Sequence, residues 1–258
     1  MRIIVCVKQV PLNNDVRVDP ETGVLLRSSA SAKLNPYDLF ALEAALRLKT
    51  PGDTVAALTM GPPAAREALL ECVFMGADSG VLVTDRAFAG SDVLATGYAL
   101  SQAIAPLAPG LILCGRQTTD GDTAQVGAEL SEFLGIPCAA NVSTILGREA
   151  GGIRVLCSLG DFEQELFLRF PCLIAVEKDI HTPRLPSFKR RRAITEPDIA
   201  VLTLADLADK DAAHYGLSGS PTQVERTFAP AREVKSVRFG EGDGAEGIFV
   251  MLTENKFI

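Results

Sequence analysis

Tryptophan is absent from the 258 residues, and there are only two histidines, His181 and His214. A histidine-based triad or metal site therefore has little material. The six cysteines, at positions 6, 72, 114, 138, 157 and 172, form no C-x-x-C pair. Most lie inside apolar runs such as "IIVCVK" and "LILCG", so buried reduced thiols are expected rather than a disulfide or metal framework. No apolar run approaches the roughly 20 residues of a membrane span. The opening "MRIIVCVKQV" lacks the long apolar core and small-residue cleavage site of a secretory leader, and a cytoplasmic chain is expected. A net charge of −7 disfavours non-specific binding to nucleic acid or to anionic membranes. What remains is an ordinary globular composition, 47% hydrophobic and 22% charged, sufficient to bury a real core.

Along the chain, apolar β-like runs alternate with helical patterns. Residues 3–8 read as a strand buried on both faces. Residues 16–27, "VRVDPETGVLLR", read as a hairpin about the turn residues "DPETG". In "NPYDLFALEAALRLK", Asn35 suits a helix N-cap, Pro36 the first turn, and Asp38 the positive end of the dipole. Strands are predicted at 53–60, 79–84 and 111–115. Helices are predicted at 64–76, at 91–107 with Ser91 as cap, and at 124–135 with Val126, Leu130 and Phe133 on one face. This alternation specifies an α/β fold with a mostly parallel, doubly wound, Rossmann-like sheet. After about residue 140, "NVSTIL", "IRVLCSL" and "EQELFLRFPCLIAVE" suggest an antiparallel extension. Residues 202–207, "LTLADL", are the last clear core-like run. The expected division is an α/β domain over 1–200, with a C-terminal arm over 201–258 lying on the core or on a partner.

In such sheets ligands bind beyond the carboxyl ends of the strands, where strand order reverses. Four segments are candidates: 8–11, 35–38, 59–63 and 114–125. The last, "CGRQTTDGDTAQ", is the richest. Gly115 and Gly121 allow close backbone approach, Thr123 supplies a hydroxyl, and the following helix offers free amides to an anion. It carries neither standard glycine-rich nucleotide fingerprint. A bland alternative stands beside this reading: Asp122 or Thr123 caps the helix while Gly121 makes the turn. Asn35-Pro36 is by itself more often a helix start, Met60 more often core, and the basic run Lys189–Arg192 more often a solvated face. No paired carboxylates or nucleophile–base pair stand out, so any redox chemistry must belong to a cofactor.

Taken together, "VCVKQVP", "VDPETGVLLR", "NPYDLFALEAALRLK", "LTMGPP", "FMGAD", "TDRAFAGSD", "CGRQTTDGDTAQVG", "TPRLPSFKRRRA" and "LADL" resemble, in order and spacing, the β subunit of electron transfer flavoproteins over essentially the whole chain. The resemblance implies an αβ heterodimer with an adenine-nucleotide-hydrolase-like core in β and an FAD in the α subunit. Ordinary β subunits bury an AMP. In the flavin-based electron-bifurcating branch the β subunit instead holds a second FAD, which is reduced by NADH. One electron then goes to ferredoxin or flavodoxin, and the other goes through the α-subunit flavin to an acyl-CoA or other flavin dehydrogenase. The segments "VDPETGVLLR", "TDRAFAGSD", "DGDTAQVG" and "GLSGSPTQVERTFAP" look like that branch, the last resembling an arm laid against the partner.

Carried over by position, the implied cofactor contacts are Cys6, Lys8, Asn35, Pro36, Tyr37, Asp38 and Met60. The loop adds Gly115, Arg116, Gln117, Thr118, Thr119, Asp120, Gly121, Asp122, Thr123, Ala124, Gln125 and Val126. Partner recognition is implied for Thr182, Pro183, Arg184, Leu185, Pro186, Ser187, Phe188, Lys189, Arg190, Arg191 and Arg192. Thr118-Thr119 departs from the Ala-Ile common in the family, and Tyr37 from the acidic residue or Phe often found there. Asp120 and Asp122 are expected to serve ribose, loop or a bridging cation rather than bare phosphate. Two rival readings are a nucleotide-stabilised scaffold with a structural AMP, and an ATP-cleaving hydrolase. The second requires an "SGG-x-DS"-like loop where "VKQVPLNND" stands.

Overall fold

β1 (Arg2–Cys6) lies inside the sheet, and its Ile3, Ile4 and Val5 are fully buried, Ile3 and Val5 on one face and Ile4 on the other. Two-sided burial is why this run is continuously apolar rather than alternating. The computed structural model describes residues 1–12, 17–18, 25–26, 32–224, 236, 238, 242 and 244–258. Four short strands follow β1: β2 (Gln9–Pro11), β3 (Arg17–Val18), β4 (Leu25–Leu26) and β5 (Ala32–Leu34). β2 pairs antiparallel with β5, and β3 with β4 as the hairpin reading requires. The turn itself, residues 19–24, lies outside the described residues. Next come α1 (Pro36–Leu48), β6 (Thr54–Met60), α2 (Arg66–Met75), β7 (Ser79–Val83), α3 (Val93–Ile104), β8 (Leu111–Gly115) and α4 (Val126–Leu134). The remainder comprises β9 (Cys138–Glu149), β10 (Gly152–Ser158), β11 (Glu163–Arg169), β12 (Cys172–Val176), α5 (Phe188–Ala193), β13 (Ile199–Leu202) and α6 (Gly244–Glu254).

Nine strands form one sheet in the order β11-β10-β9-β12-β8-β1-β6-β7-β13. All neighbours from β9 to β13 are parallel, while β9, β10 and β11 form an antiparallel extension. From β1 the chain builds outward through β6 and β7, then returns to place β8 on the other side of β1. The order therefore reverses between β1 and β8, the position beyond whose carboxyl ends such sheets bind their ligands. Ala41, Leu42 and Ala45 of α1, with Leu69 and Cys72 of α2, fill one layer against the sheet. Ala99, Leu100 and Ala103 of α3, with Leu130 of α4, fill the other. Each fully buried Leu or Ile of this kind contributes about 1.5–3 kcal/mol. The six cysteines are free thiols.

Three elements differ from the sequence reading. "EQELFLRFPCLIAVE" is two strands, because all five residues of β12 are buried and return to the parallel sheet between β8 and β9. α3 is capped by Asp92, whose Oδ1 accepts from the Ala95 amide at 3.0 Å, whereas Ser91 donates its hydroxyl to the Phe88 carbonyl. "LTLADL" is preceded by a true edge strand, β13, parallel to β7. Beyond it Tyr215, read as part of a loop or arm, is 1% exposed. Its ring lies 5.4 Å from both Phe88 and Tyr98, and its hydroxyl donates to the Asp209 carbonyl at 2.7 Å.

Candidate functional site

The first turn of α1 gathers the ends of β1 and β8. Asn35 occupies the N-cap position but its side chain makes no capping hydrogen bond. Its Nδ2 donates instead to the Gln117 carbonyl at 2.9 Å, and its Oδ1 accepts from the Thr119 amide at 3.3 Å. Asp38 Oδ2 accepts from the Lys8 amide at 2.8 Å, and Oδ1 accepts from the Gly115 amide at 3.2 Å. Gly115 is required here, because a Cβ would stand 2.6 Å from Asp38 Oδ1 and from Tyr37. Burial, opposed by the Lys8 amide, the Asn35 side chain, the Gly115 amide and the Lys8 charge, leaves the Asp38 carboxyl raised to about 7. Burial, with Asp38 adding to it, pushes the Cys6 thiol up to about 12, so this cysteine is a neutral filler and no nucleophile. Met60 ends β6 and packs, half-buried, on the α3 side.

The loop from Arg116 to Gln125 is fastened by further contacts. The Arg116 amide donates to the Val176 carbonyl at 2.9 Å, and its guanidinium pairs with Glu177 at 2.8 Å. Lys8 Nζ pairs with Asp120 at 2.8 Å. Gln117 Nε2 donates to Asp122 Oδ1, and the Asp122 amide donates to the Thr118 carbonyl at 3.1 Å. The Gly121 amide is held by Asp120 Oδ1 at 2.8 Å. Burial opposes charge on Asp120, but Lys8 prevails and holds its carboxyl below the usual range. Both aspartates therefore bind the loop to itself and to β1. Asp122 and Ala124 take left-handed φ of 53° and 55°, a conformation Asp tolerates and Ala does not favour.

Neither Asp122 nor Thr123 caps α4, as the bland reading required. Gln125 holds the N-cap position and makes no side-chain hydrogen bond. The first-turn amides of α4 thus have no side-chain cap and follow the exposed Thr123, a donor set suited to an anion. Among the described residues, the two buried side-chain oxygens without a partner are Thr59 Oγ1, near the end of β6, and Glu129 Oε2, in α4. Both belong to elements that reach the carboxyl edge of the sheet, where an orphaned polar atom calls for a ligand or water. Sequence reasoning missed Val176 and Glu177, which come from β12 and its exit and carry no local motif. No group of three or more His, Cys, Asp or Glu suited to a metal occurs among the described residues.

Residues 182–192 form a second surface, built on α1 and α2. Arg184 makes a fork on the buried Glu43, with Nε to Oε2 at 2.7 Å and Nη2 to Oε1 at 3.1 Å, and Arg47 adds a bond at 2.8 Å. The Ser187 amide donates to the Phe74 carbonyl at 2.9 Å. Arg190 donates to the carbonyls of Val73 and Ala77 at 3.0 and 2.9 Å, closing the C-terminal end of α2. The basic run is therefore divided. Arg184 and Arg190 anchor the segment, while Leu185 and Phe188 stand 87% and 73% exposed. The Arg192 guanidinium lies over Phe188, and that of Arg191 over Phe74, each at 5.9 Å. A groove of about 380 Å³ adjoins them, lined in part by Leu34, Ala68, Phe74 and Phe188. Thr182, Pro183, Pro186 and Lys189 complete the segment without a side-chain bond among the described residues.

A family model for the electron transfer flavoprotein domain matches residues 22–207. Protein FixA of Azorhizobium caulinodans is 39% identical over 98% of this chain and 94% of its own length. The electron transfer flavoprotein subunit beta of Clostridium acetobutylicum is 39% identical over 94% of this chain and 91% of its own. Subunit CarD of the caffeyl-CoA reductase–Etf complex of Acetobacterium woodii is 41% identical over 89% and 88% respectively.

Proposed function

The chain belongs to the electron transfer flavoprotein family as a β subunit, and on that premise we propose that it is the NADH-oxidising subunit of a flavin-based electron-bifurcating heterodimer. Its cofactor in this reading is FAD, held beyond the carboxyl ends of β1 and β8. The observation that carries the proposal is the fastened loop 116–125 leading into an uncapped α4 at the point where strand order reverses. Backbone amides at the start of α4, with Thr123 and the Lys8 ammonium, would receive the pyrophosphate. Asn35, Asp38 and Gln117 would keep that loop in place, and Pro36, Tyr37 and Met60 would border the nucleotide. When bound, the FAD supplies the electron chemistry, taking two electrons from NADH and releasing one to ferredoxin or flavodoxin and one to the α-subunit FAD.

The residues of this chain then have three tasks. They hold the adenylate, keep the loop rigid around it, and present docking surfaces. Residues 182–192 would meet the dehydrogenase through Leu185, Phe188, Arg191 and Arg192. The name of the Acetobacterium relative joins an Etf to a CoA-thioester reductase, which supports an acyl-CoA-type dehydrogenase as that partner. The arm within 201–258 would pack on the α subunit. The exposed Phe249, Met251 and Phe257 in and after α6 suit such a covered position. No helix among the described residues is long and apolar enough to cross a membrane.

Counting nucleotides tests the reading. The purified αβ heterodimer is expected to contain two FAD molecules and to be bleached by NADH. One FAD with a tightly bound AMP would instead establish the second reading, in which β is an electron-transfer scaffold and its AMP is structural. The loop serves either ligand because both carry an adenylate.

A further inference from the structure

We propose that Asp38 is a positioning residue for the nucleotide loop: its ionised carboxylate joins the ends of β1 and β8, and taking up one proton loosens one of them and weakens nucleotide binding. The nucleotide part of this inference rests on the function proposed above.

The geometry is specific to a carboxylate with two acceptor oxygens. One accepts the Lys8 amide and the other the Gly115 amide, so a single side chain spans the two strands between which the sheet order reverses. The same helix turn also takes the Lys8 carbonyl, through the Asn35 amide at 2.9 Å, and the Gln117 carbonyl, through the Asn35 side chain. The loop therefore starts from a point fixed by α1 rather than by the sheet alone. Asp38 is 4% exposed, and the absent Cβ of Gly115 is what lets the strand end reach it.

Protonation would remove the negative charge and turn one oxygen into a hydroxyl, a weaker acceptor whose own hydrogen must be directed away from the amide it faces. One of the two bonds is then weakened, and the strand end it held is less firmly fixed. The groups around Asp38 leave this titration to Asp38 itself. Cys6 on β1, Cys72 on α2 and Cys114 on β8 are all pushed up by burial, with Asp38 adding to it, and stay neutral. The Lys8 ammonium is the cation that favours the charged form, and it is engaged with Asp120. Burial and these contacts leave the carboxyl at about 7, within the physiological range.

Two measurements on the αβ heterodimer test the proposal. In nucleotide-free protein with a ¹⁵N-labelled β subunit, the Lys8 and Gly115 amide shifts are expected to titrate together between pH 6 and 8.5. Affinities for FAD and AMP are then measured over the same range for the wild type and for Asp38→Asn, which keeps the shape but cannot titrate. Wild-type affinity should rise by up to about tenfold from pH 6 to 8, the equivalent of one hydrogen bond. Asp38→Asn should be flat and meet the wild-type curve at the acid end. Amides that do not titrate, or an Asp38→Asn profile parallel to the wild type, overturn the proposal. If the variant fails to fold, the wild-type amide titration decides between the two outcomes without it. Titrating amides in a protein that binds neither nucleotide at any pH would sink the nucleotide reading and leave the carboxylate clamp standing.

Discussion

Replacing Glu43 by Gln should loosen the 182–192 segment without touching the nucleotide site. Glu43 is 2% exposed on α1 and receives Arg184 through its side chain and its backbone amide, as well as Arg47. Burial alone would raise its carboxyl, yet the two arginines hold it at about 2 against an ordinary value of 4.5. At about 1.4 kcal/mol per pH unit this displacement corresponds to roughly 3 kcal/mol. The guanidinium side chains are 44% and 53% exposed and can hydrate when released, so we take ~1–2 kcal/mol as the cost of the substitution. For a chain of this size that is a fall of about 3–6 °C in melting temperature. A depressed folded value means that the stabilisation is fully present above about 4.5 and is lost as pH falls toward about 2. Wild type and variant should therefore converge as pH falls toward 2 and differ by the full, constant amount above pH 5. Differential scanning calorimetry of the heterodimer from pH 3 to 7 reads this directly. Flavin content should not change, while electron transfer to the dehydrogenase should show a raised apparent KM for the partner. Equal melting temperatures at pH 7, or a constant difference across the pH range, would refute the pairing as the anchor.

Two further substitutions address the loop. Asp122→Ala removes the acceptor of Gln117 and places Ala at a φ of 53°; loss of the β-subunit nucleotide with an unchanged circular dichroism spectrum is expected, and undiminished nucleotide content would reduce this residue to a turn former. Gly115→Ala puts a Cβ 2.6 Å from Asp38 Oδ1 and Tyr37; about 1–3 kcal/mol of destabilisation in urea is expected, and a stability equal to wild type would contradict the close approach of α1 to β8.

The core of the fold was legible because its signals are local. Continuous apolar runs such as "IIVCV" and "LILCG" report burial on both faces, and the helical spacing between them reports the covering layers. The misreadings arose where local signals compete or vanish. Ser91 and Asp92 are both good caps, and only the fit of Asp92 to the Ala95 amide and to Thr222 selects between them. "CLIAV" is equally apolar in an antiparallel or a parallel position, and its partners β8 and β9 decide. Tyr215 stands among glycines and serines with no periodicity, so nothing nearby announces that its ring completes the α3 layer.

By itself, the sequence determined the fold class and, through ordered motifs, the family. It also placed Asn35, Asp38, Asp120 and Asp122 in one neighbourhood, but not their tasks. Only the tertiary structure decided that Lys8 meets Asp120 across 112 residues, that Asn35 caps the loop rather than its own helix, and that Arg184 reaches Glu43 across 141 residues. Propensity and periodicity act over a few residues, whereas the pairing of a charge depends on which strand ends the sheet brings together. The acids of "GRQTTDGDTAQVG" are fasteners of the loop for that reason, and they leave the first-turn amides of α4 without a side-chain cap.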